Sequence, residues 1–108
     1  MRWIDIGPAS DIPKLGARIV RGPKGDIAVF RTADDEIFAL DDRCPHKGGP
    51  LSQGIVHDHH VTCPLHNFVI SLSDGEARAP DKGCTRAYQV RVVNGLISLA
   101  LPETVAAK

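Results

Sequence analysis

Cys44-Pro45-His46-Lys47-Gly48-Gly49-Pro50, then Cys63-Pro64-Leu65-His66 after sixteen residues counted from His46, form the stretch on which the reading of this chain turns. Each end offers one thiol and one imidazole within a few residues, with a proline directly after the cysteine. Between them, Gly54 to Val56 and Val61-Thr62 read as a β-hairpin around His57-Asp58-His59-His60. A hairpin joining two loops brings their tips together. Cys44, His46, Cys63 and His66 are therefore expected to converge on one metal site despite their distance in sequence.

Working outward, the residues before this stretch alternate short β-favouring runs with turn chemistry. Trp3 to Ile6 reads as a strand closed by Gly7-Pro8, and Arg18 to Arg21, Ile27 to Thr32 and Ile37 to Leu40 read as further strands. Gly22-Pro23-Lys24-Gly25 and Asp34-Asp35 supply the turns between them. Ser10-Asp11-Ile12-Pro13 has room for one helical turn only, because Pro13 and Gly16 stop it. On the far side, Asn94-Gly95 fits a two-residue type I′ hairpin, whose central residues both need positive φ. Pairing Val93 with Leu96 sets Val92 against Ile97, Val90 against Leu99 and Tyr88 against Leu101 on one apolar face. Gln89 and Arg91 then share the other, mostly polar face with Ala100 and Ser98. Strands at such short, regular spacing predict an all-β antiparallel sandwich or barrel.

Composition excludes several classes. A chain of 108 residues is expected to form one domain spanning 1–108, with 102–108 as a patternless tail that frays. Thirteen acidic residues balance thirteen basic ones, so no long-range field recruits nucleic acid or an anionic membrane. Apolar runs such as Leu99 to Leu101 fall far short of the roughly 20 residues that cross a bilayer. Met1-Arg2-Trp3-Ile4-Asp5 does not open as a signal peptide opens, and three cysteines cannot all pair. A cytoplasmic, reducing location is expected.

The spacing of the four ligands discriminates between metals. Structural zinc sites group cysteine with cysteine and histidine with histidine, separated by at least two residues. Here Cys44 and His46 have one residue between them, which suits them poorly to chelating a single small ion. A two-metal cluster, presenting its ions at different points, can take one ligand from each loop on each metal. A structural zinc-binding interaction module remains the alternative of another class, and it would contain no acid-labile sulfide.

The motifs Cys44-Pro45-His46, Gly48-Gly49-Pro50 and Cys63-Pro64-Leu65-His66 resemble the two ligand loops of a Rieske [2Fe-2S] domain. The resemblance implies an all-β Rieske-like fold with a small cluster-binding subdomain, here about residues 42–70. It also implies Cys44 and Cys63 on the buried iron, His46 and His66 on the outer one, and one-electron transfer as the chemistry. Rieske proteins of the cytochrome bc type add a cysteine to each loop, and the matching positions here are Gly49 and Leu65. That disulfide is ruled out. Asn67-Phe68 follows the last ligand where those proteins place hydroxyl donors, so a potential low in the Rieske range is expected.

The text from Cys44 to Gly54, with Cys63 to Phe68, Gly75-Glu76-Ala77 and Pro80-Asp81-Lys82-Gly83-Cys84, is similar to the small subunit of assimilatory NAD(P)H nitrite reductase. This resemblance implies a large sirohaem and flavin subunit as partner, and an electron carrier with no catalytic site of its own. The alternative within the same fold is a Rieske ferredoxin feeding a ring-hydroxylating oxygenase. Outside the ligand set, His57, His59 and His60 are expected at a solvated hairpin tip, and Cys84 as a small buried hydrophobe. Arg43 and Lys47 sit beside the first loop, where they could steer an acidic partner surface.

Overall fold

The computed structural model describes residues 2–22, 25–43, 50–63, 69–77 and 85–101. Among them are ten strands: β1 (Arg2–Pro8), β2 (Ala17–Gly22), β3 (Gly25–Arg31), β4 (Ile37–Asp41), β5 (Ile55–His57), β6 (His60–Thr62), β7 (Val69–Ser71), β8 (Ala87–Tyr88), β9 (Val90–Val93) and β10 (Leu96–Leu101). The only helical segments among the described residues are two 3-10 turns, Ala9–Asp11 and Leu51–Gln53. The strands form three antiparallel sheets, β1-β10-β9, β2-β3-β4-β8 and β5-β6-β7. The all-β expectation holds.

The sequence of β3 explains how the sheets stack. Ile27-Ala28-Val29-Phe30 is apolar without interruption, and all four side chains are buried, as in a strand covered on both faces. Alternate residues point to opposite faces. Ala28 and Phe30, with Leu40 of β4, pack onto Leu51, Val56, Val61, Cys63, Ile70 and Leu72. Ile27 and Val29, with Ala39, pack onto Ile12, Ile97, Leu99 and Leu101. The four-stranded sheet is thus a central layer: its first face holds the small sheet β5-β6-β7, its second the sheet β1-β10-β9.

The Asn94-Gly95 turn forms with φ of 52° and 79°, and β9 pairs with β10 in the expected register from Val93↔Leu96 to Val90↔Leu99. The pairing of Tyr88 with Leu101 does not form. Tyr88 pairs with Ala39 in the central sheet, and Leu101 pairs with Arg2. The strand direction therefore passes from one sheet to the other at Gln89, whose carbonyl still accepts from Ala100 N–H at 3.0 Å. The two expected faces also differ from alternation alone. Val92 is exposed, whereas Ser98 and Ala100 on the nominally polar face are buried. Trp3 pairs with Ala100 and Arg91 with Ser98, placing both large side chains on that face, where the Arg91 guanidinium lies 4.3 Å from the Trp3 ring centroid. Ser98 satisfies its hydroxyl by donating to Asp5 Oδ1 at 2.6 Å.

Candidate metal centre

Of the four expected ligands, Cys63 is described by the structure. Cys44, His46 and His66 lie outside the described residues, as do Lys47, Gly48, Gly49, Cys84 and the tail 102–108. What the structure gives is the roots of the two loops that carry the expected ligands, and the way the chain holds them.

The first loop leaves the end of β4. Asp41 N–H donates to Arg86 O at 2.9 Å, and the Tyr88 phenol donates to Asp41 Oδ1 at 2.5 Å, so β8 fixes the point of departure. Burial, then the bond to Asp41 and the charge of that carboxylate, push the Tyr88 phenol up to about 12, with Arg86 acting against them. Asp42 N–H donates to Asp26 O at 2.9 Å, tying the next residue to the start of β3. The chain returns at Pro50 into the turn Leu51–Gln53, whose Leu51 is fully buried. Ser52 meets the departing limb: its N–H donates to Asp42 Oδ1 at 2.7 Å and its hydroxyl to Asp42 Oδ2 at 2.8 Å.

The second loop leaves the end of β6 and returns on β7, closed at its base by the pair Thr62↔Val69. Cys63, the first residue after β6, is fully buried in the same apolar cluster as Leu40, Leu51 and Ile70. Those residues stand at the departure of the first loop, at its return, and at the return of the second. One patch of core therefore roots both loops. Gly54 permits this closeness: a Cβ there would lie 2.3 Å from Thr62 O and 3.1 Å from Leu51 O. Asp42, Ser52 and Gly54 were missed as site-building residues because their signal is a long-range contact, although Gly54 following a turn of this kind hints at a close approach.

The histidine tip is better tied down than a solvated turn. His57 Nε2 lies 2.7 Å from Thr62 Oγ1, and the His57 and His60 rings stack with centroids 6.0 Å apart. His59 Nε2 reaches Glu36 Oε1 at 2.5 Å across the gap to the β3–β4 turn, its ring edge-on to Phe38. Asp34 joins Glu36 and His59 in an exposed group whose ligand atoms lie within 4.8 Å of one another.

A fully buried thiol at the base of a loop suits a metal ligand whose charge the metal offsets and whose bond water cannot reach. Residues 2–100 match the family of Rieske-like [2Fe-2S] domains, and the chain belongs to that family. Its cofactor is a Rieske-type [2Fe-2S] cluster. The chain is 42% identical to the anthranilate 1,2-dioxygenase ferredoxin subunit of Burkholderia cepacia, over 90% of each chain. It is 38% identical to the 3-phenylpropionate/cinnamic acid dioxygenase ferredoxin subunit of Photorhabdus laumondii, over 95% of this chain and 98% of that one. Among solved structures, the ferredoxin in a complex of reduced oxygenase and oxidised ferredoxin in carbazole 1,9a-dioxygenase superposes with a TM-score of 0.79 at 25% identity, over 90% of this chain and all of that one. A Mycobacterium tuberculosis protein described as an NADH-dependent nitrite reductase small subunit superposes with a TM-score of 0.84 at 24% identity, over 94% and 96%. At that identity the second likeness carries the fold alone. The weight thus moves from the nitrite reductase subunit expected from the motifs to the dioxygenase ferredoxins. No helix among the described residues is long and apolar enough to cross a membrane.

Proposed function

We propose that this chain is the ferredoxin component of a ring-hydroxylating oxygenase system, carrying single electrons to the oxygenase. The observation that carries this reading is the 42% identity to a dioxygenase ferredoxin subunit over nine-tenths of both chains. Cys44 and Cys63 hold one iron as thiolates, and His46 and His66 hold the other through neutral imidazole nitrogens. The cluster supplies a one-electron couple, and two imidazoles in place of two thiolates raise its potential relative to an all-cysteine cluster. Cys63 excludes water from the cysteine side by its burial, and β8, Asp42 and Ser52 hold the limbs of the loop that bears Cys44 and His46. The chain needs no bond-making group of its own, and the cytoplasm is the compartment this role implies.

Mixing the reduced chain with a purified ring-hydroxylating oxygenase in a stopped-flow instrument tests the reading. Rapid reoxidation of the chain with matching reduction of the oxygenase is expected. Co-purification with a sirohaem flavoprotein, and no electron transfer to the oxygenase, would replace this reading with the nitrite reductase small subunit suggested by Cys44 to Gly54 and Pro80 to Cys84.

A further inference from the structure

We propose that Asp42 and Ser52 form a clamp that sets the geometry of the first ligand loop and thereby the cluster's electronic structure and retention. The proposal rests on the reading that Cys44 and His46 are cluster ligands. Asp42 stands two residues before Cys44, and Ser52 lies ten residues from it on the return limb. Both oxygens of the one carboxylate are engaged by the one serine, Oδ1 by the backbone N–H at 2.7 Å and Oδ2 by the hydroxyl at 2.8 Å. A two-point contact of this kind fixes orientation as well as distance, and bonds to a carboxylate are stronger than neutral ones.

Each jaw is itself anchored. Asp42 N–H is held by Asp26 O at 2.9 Å, and Ser52 sits in a turn pinned by the fully buried Leu51. The two limbs therefore cannot slide past each other without breaking both bonds. Closing a short loop at its base removes most of its conformations, and ligands on it are delivered in a narrow range of positions. Both oxygens of the Asp42 carboxylate are taken up by Ser52. Asp42 and Ser52 are positioning residues, acting through the backbone that carries Cys44 and His46.

The test uses the cluster-bearing chain and three variants, S52A, S52T and D42N. S52A removes the hydroxyl while keeping the backbone N–H and the Asp42 charge, so it isolates geometry. S52T restores the hydroxyl. D42N also removes a negative charge two residues before Cys44, a change that by itself is expected to raise the potential. The readouts are the reduced-state EPR line shape, the midpoint potential and the rate of visible bleaching in the presence of a chelator. S52A is expected to alter the line shape and bleach several-fold faster, short of the roughly tenfold or more lost when a direct hydrogen-bond partner of a metal ligand is removed. S52T is expected to match the parent chain. An S52A protein with the parent's line shape, potential and bleaching rate overturns the clamp, whether or not D42N folds. A parent chain that purifies without iron and sulfide overturns the ligand reading instead, and the clamp falls with it.

Discussion

Tyr88 donates its phenol proton to Oδ1 of Asp41 at 2.5 Å, joining β8 to the last residue of β4 just where the loop bearing Cys44 and His46 begins. The chain has a single tyrosine, so its ionisation is visible without interference from another. Burial and the Asp41 carboxylate favour the neutral phenol in the folded protein, moving it from 10.0 to about 12. The bond's contribution is therefore complete below the unfolded value and is lost as pH rises through about 12. Tyrosinate absorbance should titrate near that upper value in the parent chain and lower in D41N. Titration of the parent near 10.0 would show that the bond is not made in solution. Tyr88→Phe should cost roughly 1 kcal/mol at neutral pH, measured by denaturant unfolding.

Gly54→Ala should disturb both loop roots together. The added methyl would meet Thr62 O at 2.3 Å and Leu51 O at 3.1 Å, backbone atoms that cannot swing aside. A loss of roughly 1–3 kcal/mol is expected, with lower iron content after purification. Parent-like stability and iron content would show that the two limbs do not pack as described.

His59→Ala should do little. The His59–Glu36 pair is half exposed on both sides, and such pairs contribute about 1 kcal/mol or less. Thermal unfolding within a few degrees of the parent, with unchanged cluster absorbance, is the expected result. Loss of the cluster in this variant would place the histidine tip in the metal centre.

Cys63→Ala should separate the fold from the cofactor. The change removes a sulfur from an apolar cluster of β4, β5, β6 and β7 side chains, so β-sheet circular dichroism should persist while visible absorbance and acid-labile sulfide are lost. A coloured, sulfide-bearing C63A chain would remove Cys63 from the ligand set.

Local chemistry made some of this architecture legible in the sequence and left the rest hidden. Asn94-Gly95 fixed its own register from Val93 to Val90 because a two-residue turn of that type has few alternatives, and the run Ile27 to Thr32 was legible as a strand, although the burial of both its faces was not read from it. The passage of the chain between sheets at Gln89 had no local sign, since it depends on Tyr88 meeting Ala39 and Asp41 from far along the chain. Burial of Ser98 was equally hidden, because the Trp3 and Arg91 side chains that share its face arrive from other strands. At the candidate centre, the single residue between Cys44 and His46 favoured two metals over one, and the resemblance of the two loops to a Rieske domain named the cofactor. The scaffold of the loops, Asp42 with Ser52 and Gly54 against Thr62, is made of contacts that no periodicity encodes.

A redox titration of the purified chain followed by EPR, with iron and acid-labile sulfide measured on the same sample, tests the central claim most directly. Two irons and two sulfides per chain are expected, with a reduced-state signal that titrates as one electron. The midpoint should fall in the lower part of the roughly −150 to +300 mV spanned by Rieske centres. A colourless protein containing zinc and no sulfide would contradict the account outright, and a midpoint near the top of that range would contradict the low-potential assignment drawn from Gly49, Leu65 and Asn67-Phe68.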